Sequence, residues 1–177
     1  MRRNLLGLTL VCLAVLIDAA FDIVENVSVK NHPGNLISTN LNSYGRAPKP
    51  ISGNITFLKD LTDKHRVLVD VKKTSGLALN FKGFIDETIC TAIKKSYDPY
   101  IKTTLKKGKN TNLDFKNGKV CPLPKGTYWF KDITIDINKW KSSWLVLAGS
   151  YNIKITVLNQ DGSPGGKLEL KVKLREK

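Results

Sequence analysis

The sequence is short of most of what catalysis, metal binding and nucleic-acid reading ordinarily require. Its 177 residues hold two histidines, three cysteines and one methionine, and 15 acidic against 29 basic residues leave a formal net charge of +14. His32 precedes Pro33 in a loop and His65 opens a strand; neither has a second histidine or a carboxylate at metal-ligand spacing. No G-x-S-x-G elbow, Walker loop or free-thiol Cys–His pair is present. Asp86, Glu87, Asp132 and Asp136 read as caps and surface charge, so a hydrolase would need a carboxylate pair assembled from distant residues. The expectation is a protein that is not an enzyme and carries no cofactor or metal. Only five of the basic residues are arginine, which argues against a nucleic-acid partner, since bidentate contacts to guanine and phosphate favour arginine. No apolar run reaches about 18 residues, so no segment reads as a helical membrane span.

What is present begins with a leader. Arg2 and Arg3 precede a mostly apolar stretch from Leu5 to Ile17, and Asp18, Ala19 and Ala20 end it, the layout of a secretory signal peptide cleaved near Ala19 or Ala20. Residues 1–20 are therefore expected to be removed, leaving one domain over 21–177 in a secreted, extracellular protein. Cys12 leaves with the leader. The remaining pair, Cys90 and Cys121, suits an oxidising compartment and a single disulfide, closing a loop of about 32 residues worth roughly 3–4 kcal/mol. Two acceptor sequons, Asn26-Val27-Ser28 and Asn54-Ile55-Thr56, fit a secreted chain as glycosylation sites.

Periodicity points to strands. Tyr151, Ile153, Ile155 and Val157 alternate with polar residues, as do Leu168, Leu170, Val172 and Leu174, and turn chemistry from Asn159 to Gly166 joins the two runs as an antiparallel hairpin. Thr127 to Ile137 reads as a strand in which a bulge near Lys131-Asp132 lets Tyr128 and Phe130 share a core face with Ile133, Ile135 and Ile137. Ile23–Val29, Leu36–Leu41, Ile55–Leu61, Val67–Val71 and the alternation Leu77, Leu79, Phe81 add further strands, with Thr62-Asp63-Lys64 as a hairpin turn. One region has a helical period: Ile89, Ile93 and Tyr97 fall on one face. Asp98-Pro99 then reads as the cap and first residue of a second short helix ending at Gly108. This order favours a mainly β fold, an antiparallel β-sandwich or cup with a short helical insertion between strands. Lys94, Lys95, Lys102, Lys106, Lys107 and Lys109 cluster on the helical region, where they could meet an anionic membrane surface or acidic glycan, or simply solvate it.

The segment Val120-Cys121-Pro122-Leu123-Pro124-Lys125-Gly126-Thr127-Tyr128-Trp129 enters one strand, and Gly149-Ser150-Tyr151 enters the next, with Trp140 and Trp144 between them. Upstream, Ser43-Tyr44-Gly45-Arg46 leads to Ile51-Ser52-Gly53-Asn54-Ile55-Thr56-Phe57, and Ile89-Cys90-Thr91-Ala92 opens the helix. This order resembles the secreted insect proteins related to the ML lipid-recognition superfamily, including the CheB chemosensory group and ganglioside-activator-like domains. The resemblance implies an ML-like sandwich or cup enclosing an apolar cavity for a lipid or similar hydrophobic ligand. For CheB-like members it implies contact chemosensation, with pheromones such as cuticular hydrocarbons as ligands. Many superfamily members carry several disulfides, whereas this mature chain can form one. Read from the residues, the large side chains able to line such a site are Phe57, Phe81, Phe84, Trp129, Phe130, Trp140 and Trp144. The last two sit among lysines and serines, as a pocket rim or membrane interface would. The partners expected are a hydrophobic small molecule or lipid and, beyond it, a membrane surface or chemosensory receptor, with the protein monomeric. The other reading is a cationic interaction module without an internal ligand.

Overall fold

The computed structural model describes residues 21–46, 49–76, 79–136 and 148–176, the side chains of 21–27 and 176 excepted. The expected leader, Leu77, Ile137, Trp140 and Trp144 lie outside the described residues, as does the side chain of Asn26. Eight strands are described: β1 Phe21–His32, β2 Ile37–Ser43, β3 Ile51–Phe57, β4 Arg66–Lys73, β5 Asn80–Thr88, β6 Gly126–Ile133, β7 Gly149–Leu158 and β8 Pro164–Glu176. They form a five-stranded sheet, β1-β8-β7-β4-β5, and a three-stranded sheet, β2-β3-β6. All pairings between strands are antiparallel. The protein is thus mainly β, an antiparallel sandwich, with its helical insertion between β5 and β6.

Alternation decides which face of each sheet turns inward. Leu168, Leu170, Val172 and Leu174 of β8 are buried, while Lys171, Lys173 and Arg175 are exposed. In β6 the bulge forms where the sequence places it. Three residues of β3, Ile51 to Gly53, oppose four of β6, Phe130 to Ile133, and Asp132 takes φ 51°. The extra residue returns both Phe130 and Ile133 to the core.

Helix α1 (Ile89–Ser96) is capped by Thr88, whose side-chain oxygen accepts from the Thr91 N–H, and it buries Ile89, Ala92 and Ile93. Asp98-Pro99 does not begin a new helix. The chain continues as a π-helical turn over Tyr97–Ile101, closed by the Lys102 N–H donating to the Tyr97 carbonyl, and then through Lys102–Thr104. Pro99 lacks an N–H and crowds the preceding turn; one widened turn accommodates both defects without breaking the helix. The Cys90–Cys121 disulfide, with 5.5 Å between its Cα atoms, ties the start of α1 to the approach to β6.

Two further expectations need correction. Ile55–Leu61 and Val67–Val71 are not a hairpin: β3 and β4 belong to different sheets, and the segment between them crosses the sandwich. Leu61 stops there to exchange hydrogen bonds with Leu123, N–H to carbonyl in both directions at 2.9 and 2.8 Å. The β7–β8 turn is also shorter than Asn159–Gly166, since Pro164, Gly165 and Gly166 already belong to β8.

The sheets are joined along one side. The Leu36 N–H donates to the Gly165 carbonyl at 2.9 Å, and the Leu36 carbonyl accepts from the Leu58 N–H at 2.8 Å. Five residues before Leu36, the Asn31 side chain donates to the Leu41 carbonyl and accepts from the Leu41 N–H, at 2.9 and 3.1 Å. So close an approach requires glycine: a Cβ on Gly165 would lie 2.4 Å from Leu36 Cδ1, and one on Gly166 (φ 145°) 2.3 Å from Ile37 Cγ1. Gly165→Ala and Gly166→Ala should each destabilise the fold by about 1–3 kcal/mol. Gly162→Ala, at φ 82° with open space around its Cβ, should cost only about 1 kcal/mol. Urea unfolding of the three variants would show the ordering.

Candidate functional site

Toward β4 and β5, the five-stranded sheet turns apolar side chains inward that the described residues cover only in part. In β7, Tyr151 and Val157 are buried, yet Ile153 and Ile155, between them on the same face, are only half-buried. Their partners across the ladder are Val71 and Val69 of β4, likewise half-buried. Val69 in turn faces Ile85 of β5, and Val71 faces Phe81 across an irregularity where β5 holds two extra residues. Phe81 is 43% exposed. Directly opposed residues share a sheet face, so these six side chains form one continuous apolar surface inside the sandwich and open at the β5 side. At one end the Glu87–Lys95 ion pair stands between β5 and α1. At the other, Lys73, in register with Tyr151, is 5% exposed and the one charged side chain buried among the described residues. Burial raises the Tyr151 hydroxyl pKa.

The aromatic residues singled out by sequence divide among three places. Phe57 and Phe130 are buried on the inner face of the small sheet, and Phe57 packs its ring 5.3 Å from that of Tyr128. Phe81 lies on the open apolar face, whereas Phe84, next to the inward Ile85, is half-buried on the other side of β5. Trp129 is corrected by its parity. It precedes Phe130 in an unbroken strand segment and therefore points outward, 37% exposed, away from any interior. Val69, Val71, Ile85, Ile153 and Ile155 do not stand out in the sequence, because aliphatic strand residues look alike whether they are fully or partly covered.

The helical lysines are partly neutralised: Lys95 pairs with Glu87, Lys102 with Asp98 and Lys107 with Asp114. Lys94, Lys106 and Lys109 are exposed. Lys106 and Lys109 border a surface cleft of about 390 Å³, also lined by Lys131, Asp132 and Asp136. A second cleft of about 560 Å³ lies beside Asn159 and His65. His65 is structural, its Nδ1 accepting the Thr62 N–H at 3.0 Å to shape the turn before β4. The one close group of metal-type side chains among the described residues is Asp63 with Cys90 and Cys121, whose sulfurs are bonded to each other and so withdrawn from ligation. No helix among the described residues is long and apolar enough to cross a membrane.

Three carboxyl groups are held below the usual range. Asp114 is lowered by hydrogen bonds from the Lys107 ammonium and the Lys116 N–H, Asp161 by the Ser163 hydroxyl and N–H, and Glu169 by the Lys167 ammonium. Groups depressed in the folded state stabilise it above their unfolded pKa, near 4, and lose that contribution as pH falls through the lower folded values. The urea midpoint should therefore hold between pH 7 and about 5 and decline below about 4. Asp114→Asn combined with Asp161→Asn should flatten part of that decline.

No protein-family model and no curated protein matches the chain. Among solved structures, a Niemann-Pick type C2 protein from Japanese carpenter ant is similar over 85% of this chain and 97% of that one, at 15% identity and a TM-score of 0.32. A likeness that loose carries over neither a ligand nor a site.

Proposed function

We propose that the protein is a secreted, non-catalytic carrier that holds a hydrophobic ligand, a lipid or a hydrocarbon-like signal molecule, against the open inner face of its large sheet. One observation carries this reading: inward-facing Val69, Val71, Ile85, Ile153 and Ile155 are half-exposed, in a sandwich whose β8 residues on the same face are fully buried. Leaving several aliphatic side chains partly in water costs about 25 cal/mol per Å² of apolar surface, a cost that a bound apolar molecule would remove. The disulfide supports an oxidising, extracellular setting. The ML-type order of motifs in the sequence supports the lipid class, and a chemosensory role with a pheromone as ligand and a receptor as recipient is its most specific form.

A second reading, a cationic interaction module, draws on the outward face of the same sheet. There Lys72, Asn152 and Lys171 form an exposed cross-strand row without a carboxylate, beside exposed Lys173.

Lipid extraction and mass spectrometry of the purified protein, with displacement of a fluorescent fatty acid, test the carrier. A co-purifying apolar molecule is expected, and Ile153→Lys should weaken probe binding by about tenfold or more while the protein still unfolds cooperatively. Absence of lipid and of probe uptake at micromolar protein, together with heparin or anionic-vesicle binding lost in Lys72→Glu/Lys171→Glu, would establish the module instead.

A further inference from the structure

The two sheets differ in what they show to water. Whereas the large sheet presents lysines, the outward face of the small sheet carries two cross-strand rows built mainly of amides and hydroxyls, Ser38, Thr56 and Thr127 in one and Asn40, Asn54 and Trp129 in the next, with the charged Lys131 and Asp132 beyond them at the bulge. Trp129, 37% exposed, is the large apolar side chain of those two rows. Its own N–H points away from β3, donating to Asn112 Oδ1 at 2.8 Å. Asn54 and Trp129 are therefore a non-hydrogen-bonded pair of the β3–β6 ladder, the geometry that brings opposed side chains closest, with Cα atoms about 4.5 Å apart.

Asn54 opens the sequon Asn54-Ile55-Thr56 and is exposed. Asn31, Asn110, Asn112 and Asn159 commit their side-chain amides to hydrogen bonds, while that of Asn54 engages no partner among the described residues. We propose that Asn54 carries an N-linked glycan whose first sugar lies across the Trp129 indole, covering the exposed ring from the neighbouring strand. The sugar's apolar C–H face and the electron-rich ring face are complementary, and stacking removes both from water without displacing any existing hydrogen bond. The hydroxyls and amides of the two rows fit as well, since they can meet a glycan's hydroxyls with hydrogen bonds.

This inference rests on the secretory reading, because the transferase acts on chains entering that pathway. The full chain would be expressed in a eukaryotic secretory host, and Asn54 occupancy read by peptide mapping after enzymatic deglycosylation, which converts a modified Asn to Asp. The secreted protein should be modified at Asn54, and Asn54→Gln should lose one glycan's mass. Deglycosylation should lower the melting temperature by about 2–4 °C in the parent protein and by little in Trp129→Thr. Should Trp129→Thr not be secreted, proton NMR of the parent protein decides: ring-current upfield shifts of the first sugar's protons support stacking, and their absence overturns it. Secretion with Asn54 unmodified, or an equal melting shift with and without Trp129, overturns this inference alone. Retention of the chain in the cytosol overturns it together with the secretory reading.

Discussion

The structure depends on one seam. Leu36, 1% exposed, gives its N–H to Gly165 of the large sheet and takes the Leu58 N–H from the end of the small one, so a single residue's backbone serves both layers. The Asn31 amide acts beside it as a substitute peptide group, pairing edge strand β1 with edge strand β2 through both polar groups of Leu41. This arrangement also solves the problem of exposed sheet edges on that side, since each edge covers the other. Glycine at 165 and 166 is what lets the layers approach that closely.

A sandwich sealed along one side is free to differ on the other. Packing is complete where β8 faces β2 and β3, and it thins toward β4 and β5, where inward aliphatic residues keep partial contact with water. At β6 the remaining edge is covered: the Lys131 N–H donates to the Asn110 carbonyl and Asn112 takes the Trp129 N–H. Among the described residues the partly exposed inward side chains thus lie toward the β5 side, where an apolar guest would add to the packing.

Period and composition made much of this legible. The alternation through Tyr151–Val157 and Leu168–Leu174 located β7 and β8, and the switch of parity between Phe130 and Ile133 located the bulge before its φ was known. What local pattern could not show is which sheet a strand joins. Thr62-Asp63-Lys64 has hairpin composition, but turn residues report only that the chain reverses or bends, not what it meets afterwards. Pro99 misled for a related reason: its helix-breaking character is real, yet a π turn absorbs it at the level of backbone hydrogen bonds that no residue spacing announces. The site suffered most, because the aromatic residues draw attention while its wall consists of valines and isoleucines whose half-exposure exists only in three dimensions.

The net charge of +14 looks different once it is placed. Three of the helical lysines are matched by carboxylates within a few residues or across a turn, and on the large sheet Lys154 stands in register between Asp70 and Glu169. Of the remaining lysines, Lys72, Lys171 and Lys173 are exposed on the outward side of β4 and β8, back to back with the inward aliphatic residues. Like charge there would oppose self-association through that side of the sheet and leave the inward aliphatic side chains unaltered. Strand alternation makes the two properties inseparable. The inward aliphatic residues and the outward lysines are neighbours in sequence, separated only by the pleat.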